Sequence, residues 1–367
     1  MRPIALPLAS SEAWQSRPAW LRLSRTPSAW VSVLHAALLF LAFSWVFFRL
    51  LGKPPGSVLW TMLSGSLGSG FALSETLVRA APIVLCALAT LIPARLGLIS
   101  VGAEGQLTLG AISGTGFVLL CGSRLGSLTL PLLLLCGALG GAAWGMAAGY
   151  LRARLHANET ISTLLLNYIA PPLVDYLVYG PWKDPSSQGW PATVSFPDAA
   201  RLPSYFGTRV HLGLVLGVLA LLVSHVVLSR TRWGLSLDLL RESPTLAARA
   251  GLRQRSAIVL AFAVGGAAAG IAGIVETSVL EGRLQAGIGV GAGYAGFLVA
   301  FLARGHALRV LPLALVVAAL VSSGDSLQLS FDLPSSVTFV LQGLLFAAAL
   351  IAGGRHALAR ARPSEVR

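Results

Sequence analysis

Glu104 stands in Gly102-Ala103-Glu104-Gly105-Gln106, inside an apolar stretch of the chain. An ionisable side chain in such a place is costly and therefore the first place to look for chemistry. The flanking glycines let another backbone or a solute approach closely. A carboxylate and an amide two residues apart can hydrogen-bond hydroxyls or ring nitrogens; equally, they can cap the backbone of a broken helix. Ala157-Asn158-Glu159-Thr160, followed by Ile161-Ser162-Thr163-Leu164-Leu165-Leu166-Asn167-Tyr168, is the second polar cluster. Asn158 is placed to N-cap a helix and Glu159 to complement its dipole in the first turn. Asn167 lies two turns further in and needs a polar partner. The third feature is Arg241-Glu242-Ser243-Pro244-Thr245-Leu246-Ala247-Ala248-Arg249-Ala250-Gly251, in a segment carrying six arginines between 229 and 256. Ser-Pro before an Ala/Leu/Arg run predicts an N-capped helix with proline in its first turn, stopped by Gly251. A short helix held outside the apolar spans is suited to receive force or signal from another protein.

Other chemistries have no footing. No two histidines have metal-ligand spacing, and neither a nucleophile elbow nor a zincin motif is present. A phosphate-binding Gly-x-x-x-x-Gly-Lys-Ser/Thr loop is also missing, and the chain has two lysines, Lys53 and Lys183. The polypeptide is therefore expected to be non-catalytic, without metal or cofactor. Cys86, Cys121 and Cys136 sit in or beside apolar segments, where cysteine acts as a small packing residue.

The elements that position these residues are membrane spans. The chain is 55% hydrophobic and 11% charged, against roughly a quarter charged in a soluble domain. Several apolar runs exceed the roughly 20 residues that cross a bilayer as a helix. The expected fold is an all-α polytopic membrane protein with about ten spans, near 29–51, 77–94, 99–121, 128–151, 160–180, 210–228, 257–276, 287–303, 310–323 and 335–353. The first span is too long for a signal-peptide core and reads as a retained anchor. With both termini cytoplasmic, 19 of the 27 lysines and arginines fall inside and 8 outside, as the positive-inside rule requires. This distribution also explains the net charge of +13 without a nucleic-acid partner. Residues 1–28 form a basic cytoplasmic tail, 29–353 the transmembrane unit, and 354–367 a second basic tail. The outer loop 181–209 either docks an external partner or covers the mouth of the bundle, and 229–256 is the cytoplasmic loop. Asp175 and Glu276 fall near outer span ends and are expected to be solvated; His35, in the first span, is expected to be packed or capped.

Two spans read as broken. Residues 287–303 begin Gly-Ile-Gly-Val-Gly-Ala-Gly, and residues 97–116 carry six glycines. Irregular backbone at membrane depth is tolerated only where protein or a water-filled cavity surrounds it. Both segments contain Val-Gly-Ala followed by another glycine one or two residues on, which suggests an internal repeat with a pathway at its interface; close helix packing through small residues is the alternative reading, and the two are compatible.

At these residues the sequence resembles the permease subunits of bacterial ATP-binding cassette (ABC) importers, in the branch of ribose, branched-chain amino acid and nucleoside permeases. Gly97-Leu98-Ile99-Ser100-Val101-Gly102-Ala103-Glu104-Gly105-Gln106 is similar to the family's N-I-G-A-E-G-Q segment. Asn158 to Ala170 is similar to N-E-V-I-x-T-L-M-L-N-Y-I-A. Ser243 to Gly251 resembles the N-P-x-A-A-x-x-A-G coupling segment that docks on the ATPase. The likeness covers most of residues 30–353 and most resembles permeases for nucleosides or simple sugars. It implies a substrate pathway at Ser100, Gly102, Glu104, Gly105, Gln106, Asn167, Tyr294 and Phe297, with Asn158 and Glu159 as structural caps beside it. It implies ATPase coupling through Arg241, Glu242, Ser243, Pro244, Ala247 and Gly251. The implied partners are an ABC ATPase with two fused nucleotide-binding domains, a second permease subunit, an external solute-binding lipoprotein and the bilayer of the bacterial inner membrane. Three departures stand out. Ser100 replaces the family's asparagine, Ala295 replaces a polar residue, and Asp238-Leu239-Leu240-Arg241 replaces R-A-x-G, which points to a matched ATPase. The alternative is an inverted-repeat secondary transporter using Glu104 or Glu159 as a proton relay; it accounts for the broken spans but not for the basic coupling-type loop.

Overall fold

The computed structural model describes residues 29–361 except 123, 188 and 206. The tail 1–28 and residues 362–367 lie outside the described residues. Thirteen α-helices follow one another among them: α1 (Ala29–Leu50), α2 (Pro55–Leu67), α3 (Gly70–Ala94), α4 (Ala103–Cys121), α5 (Thr129–Leu155), α6 (Glu159–Tyr179), α7 (Leu212–Arg230), α8 (Arg232–Glu242), α9 (Pro244–Arg249), α10 (Gln254–Val275), α11 (Ala292–Ala303), α12 (Val310–Phe331) and α13 (Val337–Ala361). By length and composition seven are able to cross a membrane: α1, α3, α5, α6, α7, α10 and α12. Helices α4, α11 and α13 stand at the other three expected span positions. The protein is an all-α, multi-pass membrane protein.

Two helices depart from the sequence reading. Helix α2 was not expected, because Gly56, Ser57, Ser64, Gly65, Ser66 and Gly68 dilute its apolar character; Val58 and Met62 nonetheless pack with Phe48, Leu320 and Leu327. Helix α8 occupies what read as the start of a loop. Its apolar side, Leu237 and Leu240, is buried, and Leu237 joins a core built on α3, α7, α11 and α12.

Helix α3 is buried along nearly its whole length, and α10 along most of it. These two form the centre. The α5–α10 seam is set by glycine: Gly137, Gly141, Gly145 and Gly149 repeat every fourth residue on α5 and are buried. A Cβ at Gly141 would lie 2.2 Å from the Gly266 carbonyl oxygen, and one at Gly270 2.1 Å from that of Gly137. Small residues at helical spacing let two backbones meet, and van der Waals contact then holds helices together where lipid offers no hydrophobic gain. At one end of α3, Glu75 accepts from Arg209 at 3.0 Å, while Arg79 reaches Asp325 of α12 at 2.8 Å.

Glu276 opens a π-helical turn (Glu276–Glu281) and is buried rather than solvated; Asp175 is exposed as expected. His35 contacts the Val31 carbonyl at 2.8 Å, one turn back.

Candidate functional site

The 97–116 segment is broken only at its start. Gly97 has φ +75° and turns the chain out of α3, residues 98–101 run without helix, and α4 continues unbroken from Ala103 to Cys121. The remaining glycines serve packing: Gly110 faces Gly270, and Gly114 faces Ile274 and Leu133. The second break, before α11, is longer. Gly282, Gly287, Gly289 and Gly291 all have positive φ, a conformation that glycine adopts without steric cost.

The two Val-Gly-Ala motifs occupy equivalent places. Gly102 is the residue before α4 and Gly291 the residue before α11. The two breaks meet through Glu104. Its Oε1 accepts from the Gly291 amide at 2.7 Å and its Oε2 from the Gly293 amide at 2.8 Å. A carboxylate at the start of a helix satisfies amides that have no intrahelical acceptor and complements the helix dipole. Of the two chemistries open to Glu104, the geometry realises capping, and the helix it caps is α11 rather than its own. Gly293 has to be glycine for this contact, since a Cβ there would lie 2.2 Å from the Glu104 amide nitrogen.

The first break is strapped to α6. Asn167 Nδ2 donates to the Val101 carbonyl at 2.8 Å, and Asn167 Oδ1 accepts from the Gly105 amide at 2.9 Å. Thr163 Oγ1 accepts from the Val101 amide at 3.2 Å, and Thr160 Oγ1 donates to the Ile99 carbonyl at 3.4 Å. Thr90 Oγ1 donates to the Ser100 carbonyl at 2.7 Å from the α3 side. Asn167 thus finds the polar partners its depth demands. Thr160, Thr163 and Asn167 share one helix face, at i, i+3 and i+7. The two threonines were missed as site residues, although this spacing was a usable signal. Trp144 was missed too: its indole nitrogen is buried, and a Cβ at Gly105 would lie 2.8 Å from it. No sequence signal joins Trp144 to this place.

Ser100, Gly102, Glu104, Gly105, Gln106 and Asn167 are therefore brought together, and all are buried. Tyr294 stands at the first turn of α11, 38% exposed, with its side chain reaching Asn167. Tyr168, next to Asn167, is 67% exposed. These two tyrosines are the polar groups of the site that present open surface. Phe297 lies one turn along α11 and lines a cavity of about 630 Å³ with Thr90, Gly97, Ile99, Phe301 and Arg304. Two of the departures are buried: Ser100 is fully enclosed and Ala295 packs in the α3 core.

Asn158 is the N-cap of α6 and Glu159 stands in its first turn. Asn158 Oδ1 accepts from the amides of Thr160 and Ile161, and Glu159 pairs with Arg152 at 3.2 Å. In the loop after α7, Pro244 occupies the first turn of α9 and Gly251 has φ +77°. Ser243 is the N-cap by position, but its side chain makes no capping bond, which corrects that expectation. Arg241, Glu242, Pro244 and Gly251 are exposed, Ser243 is half-buried, and Ala247 alone faces inward, fully buried. The 181–209 loop joins the second break directly. Thr193 donates to the Leu284 carbonyl at 2.9 Å, and Phe196 to the Gly282 carbonyl at 2.8 Å.

Irregular segments meeting inside a bundle of apolar helices, with a short exposed helix beyond, agree with the permease resemblance of the sequence. Residues 72–350 match the family described as branched-chain amino acid transport system / permease component, and the chain belongs to that family. It is similar to a glucose ABC transporter permease of Haloferax volcanii, 34% identical over 89% of this chain and 87% of the relative. It is also similar to a guanosine ABC transporter permease of Bacillus subtilis, 27% identical over 79% and 83%. A nucleoside ABC transporter permease of Lactococcus lactis matches at 25% over 77% and 80%. The protein is a permease subunit of the ABC-importer kind, which decides against the secondary-transporter alternative.

Proposed function

We propose that the chain forms half of the translocation pathway of an ATP-driven importer for a small uncharged solute rich in hydroxyls or ring nitrogens, a simple sugar or a nucleoside. The observation that carries this is the meeting of the two glycine-broken segments at Glu104, beside Tyr294 and Tyr168, whose side chains are partly exposed. Glu104, Gln106 and Asn167 shape the pathway wall, and the tyrosines meet the solute. Relatives named for glucose and for guanosine support that range. Hydrolysis of ATP belongs to a separate subunit with two fused nucleotide-binding domains that docks on Arg241–Gly251. A second permease completes the pathway, and an external solute-binding lipoprotein delivers to the loop 181–209. Both termini are cytoplasmic, and the membrane is the plasma membrane.

Mechanically, closure of the ATPase pushes α9, and the pathway switches between inward and outward exposure. Only a ligand that favours one of the two states can drive such a switch. Uptake of labelled glucose and guanosine into vesicles carrying the full complex tests this. ATP-dependent uptake of either, lost in Pro244→Asp and Gly251→Asp while the permease stays folded, is expected. Uptake without any ATPase would overturn the proposal.

A further inference from the structure

The helix pair α8–α9 is attached to the site as well as to α7. Arg95, immediately after α3, donates to the carbonyl of Leu228 at 3.0 Å and lies 3.4 Å from Asp238 Oδ1 of α8. Three residues after Asp238, the Arg241 side chain lies over Gly97; a Cβ on that glycine would be 3.6 Å from Arg241 Cγ. Gly97 begins the broken segment whose other end is Glu104. The base of α8 is fixed as well, since Gly234 sits against the Leu228 carbonyl with no room for a side chain. Leu237 and Leu240 are buried beneath.

We infer that Asp238 and Arg95 are positioning residues that carry displacement of α9 into the α3–α4 break, and so into the Glu104 contact. This rests on α9 being the ATPase dock. The route is continuous: α9 follows α8, Asp238 grips Arg95, and the chain from Arg95 to Ser100 is anchored to α3 by Thr90 and to α6 by Thr160 and Thr163. Removing the pair leaves α8 seated on α7 by Gly234 and its apolar side but no longer held to Arg95. Both side chains are partly open to solvent, 26% for Arg95 and 38% for Asp238, and pairs so placed add little to stability. Position and fold are therefore separable here. Asp238 replaces the family's usual pattern at this point, and its partner lies within the same chain.

The test uses the assembled complex in vesicles and reads ATP hydrolysed per labelled solute taken up, with whichever of glucose or guanosine the wild type carries. Asp238→Arg and Asp238→Asn are expected to raise that ratio about threefold or more, the range typical of residues that tune coupling, with unfolding temperature and ATPase co-purification unchanged. Asp238→Glu, or Arg95→Asp combined with Asp238→Arg, is expected to bring it back toward wild type. A wild-type ratio in both Asp238→Arg and Asp238→Asn overturns the inference. So does a raised ratio that neither Asp238→Glu nor the charge swap lowers. Wild-type uptake that proceeds without ATP overturns the underlying reading of α9, and this inference with it.

Discussion

Replacing Glu104 with alanine should cost far more stability than replacing any other acidic residue of the described spans. In the native structure the amides of Gly291 and Gly293 are buried and have the Glu104 carboxylate as their acceptor, at 2.7 and 2.8 Å. Neither can turn to an intrahelical carbonyl, because both lie at the start of α11. Leaving a buried amide unsatisfied costs about 1–3 kcal/mol, so Glu104→Ala should lose about 2–6 kcal/mol for the pair. Glu104→Gln keeps one acceptor oxygen and turns an amide donor toward the second N–H, so its loss should be about half as large. Glu159→Gln is the control: Arg152, its partner, is 36% exposed, and the pair should contribute at most about 1 kcal/mol. Equilibrium unfolding in mixed micelles gives the order, and amide exchange at residues 291–294 gives the location. Faster exchange there, with a loss ranked alanine, glutamine, then the Glu159 control, is the expected result. A loss in Glu104→Ala no larger than in Glu159→Gln would refute the bracing role.

Three further perturbations follow from the same geometry. Gly105→Ala places a Cβ 2.8 Å from Trp144 Nε1 and 3.1 Å from Asn167 Oδ1; it should destabilise by about 1–3 kcal/mol, as overpacking does, and Trp144→Phe should recover part of that loss in the same unfolding assay. Asn167→Leu removes one donor and one acceptor bond to the first break and should cost about 2–6 kcal/mol for the two orphaned backbone groups. Asn167→Asp should recover little of this, because it sets an oxygen against the Val101 carbonyl. Gly270→Leu should abolish folding through the Gly137 and Gly141 contacts, whereas Gly56→Ala, with nothing nearer than 3.9 Å, should leave folded yield within about twofold of wild type.

The Glu104 contact joins two stretches of this chain that lie far apart in sequence. Residue 104 and the amides it holds are 187 and 189 positions apart, and the contact ties the start of α11 to the start of α4. The 181–209 loop is hydrogen-bonded to residues 282–284, and Asp238 of α8 pairs with Arg95.

The sequence by itself determined the solvent in which the chain folds, since apolar runs of span length admit helices and little else. It also carried the local starts and stops that short-range chemistry specifies: Asn158 capping α6, Pro244 opening α9, and glycine at the two breaks. Asn167 announced a need for partners through its depth. Tertiary structure decided who those partners are. Nothing near Glu104 in sequence indicates that its carboxylate serves Gly291 and Gly293, or that Asp238 answers Arg95. Helix α2 also escaped notice, because its glycines and serines look like a linker until α12 packs against them. Hydropathy and capping act over a few residues, whereas these pairings depend on which helices the glycine seams allow to touch, and that is settled only when the bundle closes.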